Sequence, residues 1–154
     1  DKSENPHLVA SVLKYWLCEL EEPLLTYELQ DAFITAQGAS SQESALRRLA
    51  TVIELLPPGN KSIFHALIHL FVILTSHKEE TKLTVLNTGL VFGPMLLRCQ
   101  DEELSVMIQH SEAATRVITT CIRNYDAIFS ENSSLVDKKK IERTKSTLGF
   151  DRKI

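Results

Sequence analysis

Residues 81–98, TKLTVLNTGLVFGPMLLR, hold most of the information about the fold. Leu83, Leu86, Leu90, Val91 and Phe92 are spread around a helical period, and the Gly93–Pro94 pair reads as a stop signal. A helix from about Leu83 to Phe92 is therefore expected. Asn87 does not belong to that pattern. A carboxamide on an apolar helix destabilises the fold unless it is hydrogen-bonded, either inside the protein or to something bound. The residue chemistry leaves both readings open.

Working outward, residues 13–25, LKYWLCELEEPLL, repeat the theme. A helix is expected from Pro6, a favourable first-turn residue, to about Leu20. At ~100° per residue, Leu8, Leu13, Val12, Trp16, Leu17 and Leu20 fill one broad arc, whereas Ser11, Lys14 and Cys18 fall outside it. Pro23 closes this helix, and a shorter one should follow from about Tyr27 to Thr35. The serines of GASSQES (38–44) can cap a helix over Gln42–Leu56, which LPPGN (56–60) then breaks. Residues 60–77 contain IFHALIHLFVIL and are apolar nearly all round, the pattern of a central buried helix. KEETK (78–82) and CQDEEL (99–104) read as connectors, and a last helix is expected over Ser111–Phe129.

Beyond Ser130 the composition turns basic and polar. Residues 1–130 read as one helical domain and residues 131–154 as a basic tail or linker. The pattern predicts an all-α domain of about six helices. The chain opens on Asp1, not Met, and reads as a fragment of a longer protein.

Composition narrows the function classes. With 154 residues, 44% hydrophobic, there is enough material for a core, and a net charge of −3 gives no field favouring nucleic acid. Any membrane contact is expected to be weak and to run through the basic tail. The longest apolar run, ALIHLFVILT, is too short to span a bilayer. Three cysteines without paired spacing do not make a disulfide framework, which suits a cytoplasmic setting. His65 and His69 have metal-ligand spacing, but Ala66 follows His65 and no third ligand is evident, so no metal site is expected. Neither a P-loop nor a dinucleotide fingerprint is present.

Two separated blocks resemble the RhoGAP domain family. NPHLVASVLKYWLCELEEPLL is similar to the family's first signature, with its histidine, alanine, Leu-Lys pair and Leu-Glu-Pro-Leu turn, and TKLTVLNTGLVFGPMLLR to the second, with its asparagine and Phe-Gly-Pro ending. LLPPGNKSIFHALIHLF between them resembles the opening of the family's long helix, and NYDAIF matches near the end. The resemblance covers roughly residues 5–130. It implies a domain that binds a Rho-class small GTPase in its GTP-bound state and promotes GTP hydrolysis. An arginine finger worth about 10³–10⁵ in rate enters the partner's site. GTP and magnesium belong to the partner, so no cofactor of the domain's own is implied. Lys14 and Asn87 take the positions that support the finger loop and contact the GTPase, with Cys18 and Pro94 beside them in the same signatures.

The departures are specific. The finger lies upstream of the first signature, so it is expected before Asp1, and Arg47, Arg48, Arg98, Arg116 and Arg123 all lie in other contexts. Cys18 stands where an arginine is common, and Gly89 where alanine is usual. Glycine there weakens the helix by ~1 kcal/mol. These features keep open the alternative of a catalytically impaired GTPase-binding or protein-interaction domain without activator function.

Overall fold

The computed structural model describes residues 6–130, 139 and 141–143. Among them lie helices α1 (Pro6–Glu19), α2 (Gln30–Gln37), α3 (Gln42–Leu55), α4 (Pro58–Ser76), α5 (Lys78–Thr81), α6 (Val85–Leu96), α7 (Leu104–Arg123) and α8 (Tyr125–Phe129). The all-α expectation holds, and over residues 6–130 eight helices stand where the sequence pattern gives about six. One addition is the single turn α5, cut from KEETK, which ends where Lys82 adopts a left-handed φ of 58°. The other comes from a break at Asn124, whose side chain donates to the Thr120 carbonyl at 2.9 Å.

Local chemistry sets the boundaries. Ser41 Oγ accepts from Ser44 N at the start of α3, and Thr84 Oγ1 accepts from Asn87 N at the start of α6. Pro58 opens α4 where its missing N–H costs nothing. Helix α2 starts three residues later than the sequence pattern implies. Thr26 first turns the chain with a φ of 62°, donating from its N to the Pro23 carbonyl while its Oγ1 accepts from Leu29 N. Helix α7 begins at Leu104 instead of Ser111. Its first turns carry Leu104, Met107 and Ile108 outward, so no buried stripe announces them in sequence.

Helix α6 does not stop at Gly93–Pro94 but runs through to Leu96. Proline removes one helical donor without ending the packing. The Leu97 N–H still donates to the Gly93 carbonyl at 2.9 Å. The stronger constraint is the contact with α7, the most extensive between any two helices. Gly89 and Gly93, one turn apart, lie against Thr115, Thr119 and the backbone at Ala114.

The centre of the fold is α7, not α4. Ala113, Ala114, Val117, Ile118, Cys121 and Ile122 are all buried there, against α2, α4, α6 and α8. Helix α4 buries Phe64, Leu67, Ile68 and Phe71 but exposes Ile63, Leu70 and Ile73. Apolar character all round is no guarantee of burial, since the surface of a folded protein is itself largely apolar. The arc expected on α1 behaves similarly. Leu17 is buried, Leu13 and Leu20 are half-buried, and Leu8, Val12 and Trp16 are exposed, because α1 packs chiefly on α6. Most of the tail read as residues 131–154 lies outside the described residues, but Ile141 is buried in the main core.

Burial also fixes thiol reactivity. Cys121 is fully enclosed and its thiol is pushed up to about 12 by desolvation, whereas Cys18 is exposed. Mass-spectrometric thiol labelling at pH 8 should modify Cys18 rapidly. Cys121 should react at least ~10³-fold more slowly, through global opening. Comparable rates for the two would contradict this core.

Candidate functional site

Three stretches distant in sequence meet at the turn that follows α1. The last residues of α6 reach back to it: Leu25 N donates to the Leu96 carbonyl at 3.1 Å. From the start of α4, Asn60 Nδ2 donates to the Leu24 carbonyl at 2.9 Å. Arg98 supplies the third tie. Its Nη1 donates to the Leu20 carbonyl at 3.1 Å, and its Nη2 lies within 3.1–3.2 Å of the Leu17, Cys18 and Leu20 carbonyls. Carbonyls in the last turn of a helix have no partners within it, and the negative end of the helix dipole attracts a cation. One guanidinium, with its fork of donors, satisfies both. Pro23, Leu24, Leu25 and Thr26 are buried around these ties.

The effect is to hold α1 alongside α6. Lys14 is half-buried on α1, and Asn87 is exposed on α6 with its backbone N–H on the Thr84 cap. The two helices are in contact. No hydrogen bond joins the Lys14 and Asn87 side chains among the described residues. The exposure of Asn87 removes the internal-bridge reading of its carboxamide, which is free to meet something outside the fold. Leu86, Leu90 and Val91 beside it are exposed too, as are Leu8, Val12, Tyr15 and Trp16 on α1. Cys18 is exposed, with its carbonyl engaged by Arg98, and Pro94 is half-buried within α6.

Arg98 is the structural residue that sequence pattern alone does not single out. The available signal was a basic residue directly after an apolar helix, the arrangement that caps carbonyls. Two other arginines are paired on their own helices, Arg47 with Glu43 and Arg116 with Glu112. His65 and His69 wedge α4 against α8. His65 stacks on Phe129 with ring centres 5.0 Å apart and lies 2.6 Å from the Tyr125 hydroxyl, and His69 stacks on Tyr125. Burial, with a smaller contribution from Asp126, raises the Tyr125 hydroxyl above its ordinary value. Among the described residues no group of three or more His, Cys, Asp or Glu side chains is placed to hold a metal, and no helix is long and apolar enough to cross a membrane.

Residues 1–101 match the RhoGAP domain. The chain belongs to the RhoGAP family. The matched RhoGAP segment contains both signatures, with Lys14, Cys18, Asn87 and Pro94. Curated relatives include Rho GTPase-activating protein 26 of Xenopus laevis, 36% identical over 122 residues, covering 79% of this chain and 16% of that protein. Rho GTPase-activating protein gacJJ of Dictyostelium discoideum is 31% identical over 133 residues, covering 82% of this chain and 15% of that protein. This chain thus spans about one-sixth of the length of the relatives it matches. Among solved structures, the BH domain from GRAF, the GTPase regulator associated with focal adhesion kinase, superposes with a TM-score of 0.76 at 29% identity. That match covers 84% of this chain and 69% of the other. Human Rho GTPase activating protein 15 gives 0.79 at 26% identity, covering 84% of this chain and 62% of the other. These matches reach well beyond residue 101 and fit the same RhoGAP helical architecture.

Proposed function

We propose that this RhoGAP chain docks on a GTP-bound Rho-class GTPase through α1 and α6, and promotes GTP hydrolysis in cooperation with an arginine finger preceding the first signature. The observation that supports it best is the family match over residues 1–101, which includes Lys14 and Asn87 on two helices in contact. In this reading the Lys14 ammonium and the Asn87 carboxamide supply polar contacts within an apolar surface, and Pro94 shapes the adjoining part of α6. The domain performs no covalent chemistry. The nucleotide, its magnesium and the attacking water are the partner's, and the domain works by positioning and by stabilising charge in the transition state. The setting is the cytoplasm, where such GTPases signal.

The second reading, binding without activation, rests on Cys18 alone. An exposed thiol stands where the family commonly has a charged contact.

A single-turnover assay on GTP-loaded Rho-class GTPases separates the two. The comparison is between the 154-residue chain and a version extended to include the finger loop. Acceleration by the extended form alone is expected, because losing a finger removes about 4–7 kcal/mol of transition-state stabilisation. In that form Lys14→Ala and Asn87→Ala should each lower the rate at subsaturating domain about tenfold, equivalent to ~1.4 kcal/mol of docking energy. Asn87→Ala should not lower the thermal midpoint, since its side chain is exposed and alanine is the better helix former. No acceleration on any Rho-class partner would overturn the activator reading. Capture of the GTP-loaded partner without faster hydrolysis would establish the second.

A further inference from the structure

Helix α2, the start of α7 and the loop at residues 99–101 enclose a cleft of about 400 Å³ to which neither signature residue contributes. Two of its lining residues hold buried polar atoms with no hydrogen-bond partner among the described residues, Gln30 Oε1 and His110 Nε2. His110 is only 7% exposed. Leaving such atoms unpaired carries their full desolvation penalty, so folded proteins rarely do so without a compensating partner.

The lining is mixed, with the amides of Gln100 and Gln109 beside apolar Ile34, Val106 and Ala113, but its formal charges have one sign. Asp31 lines the cleft on the α2 side and Asp101 on the loop side, and no lysine or arginine is among the lining residues. Asp101 is fixed in place, its Oδ1 accepting from Glu103 N at 2.8 Å and its carbonyl accepting from the Cys99 thiol. Burial lowers the His110 pKa against the opposing pull of Asp31, which keeps the imidazole neutral at neutral pH. A neutral imidazole protonated on Nδ1 presents Nε2 as an acceptor. Gln30 Oε1, His110 Nε2 and the Asp31 carboxylate are then three acceptors on residues that line one cleft.

We propose that this cleft is a subsite for a guanidinium group, which donates to Gln30 Oε1 and His110 Nε2 and is balanced in charge by Asp31, with Asp101 at the opposite rim. Guanidinium suits it better than ammonium. It carries five donors in a planar fork and no acceptor, and it gives up its hydration more readily than a compact ammonium. The site is independent of the GTPase-docking reading, and its test needs no GTPase.

Isotope-labelled 154-residue chain titrated with N-acetyl-arginine amide should show saturable shifts of the His110 imidazole and Gln30 side-chain amide signals. N-acetyl-lysine amide at equal concentration should shift them several-fold less. Asp31→Asn keeps the shape of the side chain and should weaken arginine binding about three- to fivefold, the scale of a partly exposed ion pair. The nitrogen shift of His110 Nε2 should be that of an unprotonated ring nitrogen. A glycine- and serine-flanked arginine peptide identifies the source. Tighter binding than the amide assigns the group to a protein partner, and equal binding assigns it to a free guanidino compound; either supports the site. No saturable shift, equal response to lysine, indifference to Asp31→Asn, or a proton on Nε2 would each overturn it.

Discussion

Gly93→Ala is expected to destabilise the domain by about 2–3 kcal/mol, although alanine is the better helix former by ~1 kcal/mol. An added Cβ would sit 2.9 Å from Ala114 C, 2.9 Å from Thr115 N and 3.0 Å from Thr115 Cα. All three are backbone atoms of α7, so no rotamer change relieves the clash. Either the two helices separate or the α6 backbone shifts, and both disturb the largest helix–helix contact in the fold. Separation also loosens Phe92, whose ring centre lies 4.6 Å from that of Phe71 on α4. Urea denaturation followed by circular dichroism measures the loss, and a change below 0.5 kcal/mol, within the scatter of ordinary surface substitutions, would refute the close approach.

Gly89 provides the control, because its nearest obstacle is a side chain. A Cβ there would lie 2.5 Å from Thr119 Cγ2 and 3.1 Å from the Thr115 carbonyl oxygen. Thr119 cannot turn away freely, since its Oγ1 donates to the Arg116 carbonyl at 3.0 Å. Thr119→Ser removes the offending methyl while keeping that donor. Gly89→Ala alone should destabilise by about 1–2 kcal/mol, and the pair with Thr119→Ser should recover about 1 kcal/mol of that. The departure from the usual alanine is therefore matched by a threonine on the facing helix. Its cost cannot be read from helix propensity alone.

That contrast shows what sequence pattern could and could not convey. Helices α1, α3 and α4 are legible to within two residues, because a proline or a capping serine marks where each begins. Helix class followed from the same punctuation. Burial was less legible, since period shows which residues share a face but not whether another element covers it. Trp16 and Leu70 were placed in the core by their chemistry and stand 41% and 40% exposed. Conversely, Ala114, Thr115 and Thr119 on α7 have little hydrophobic weight in sequence, yet their small size lets α6 approach closely enough to make α7 the spine. At the candidate site, Lys14 and Asn87 were conspicuous as polar residues on apolar helices. Arg98 was not, because its role depends on carbonyls 78–81 positions away in the chain.

Arg98→Met should therefore have a large effect for a residue outside the core, about 2–3 kcal/mol of stability. Hydrogen bonds from a charged donor contribute about 1.5–3 kcal/mol, and the favourable end-of-helix charge adds about 0.3–1 kcal/mol. Partial exposure of Arg98 allows water to take up some of the freed carbonyls, which is why the figure stays below their sum. Arg98→Lys keeps the charge but can reach only part of the set, and should recover about half of the loss. Hydrogen exchange locates the effect. Amides in the last turns of α1 should lose protection first, while those of α7 between Ala114 and Cys121 keep theirs below the melting range. Because Arg98 sets where α1 lies against α6, it also sets the separation of Lys14 and Asn87. In the activator reading, Arg98→Met in the finger-containing form should slow GTPase activation at temperatures where the domain remains folded, with the slowing tracking the lost protection in α1. Slowing with α1 protection intact would instead mean that the guanidinium acts on the partner directly, and that its contacts to the Leu17, Cys18 and Leu20 carbonyls are not what positions the helix.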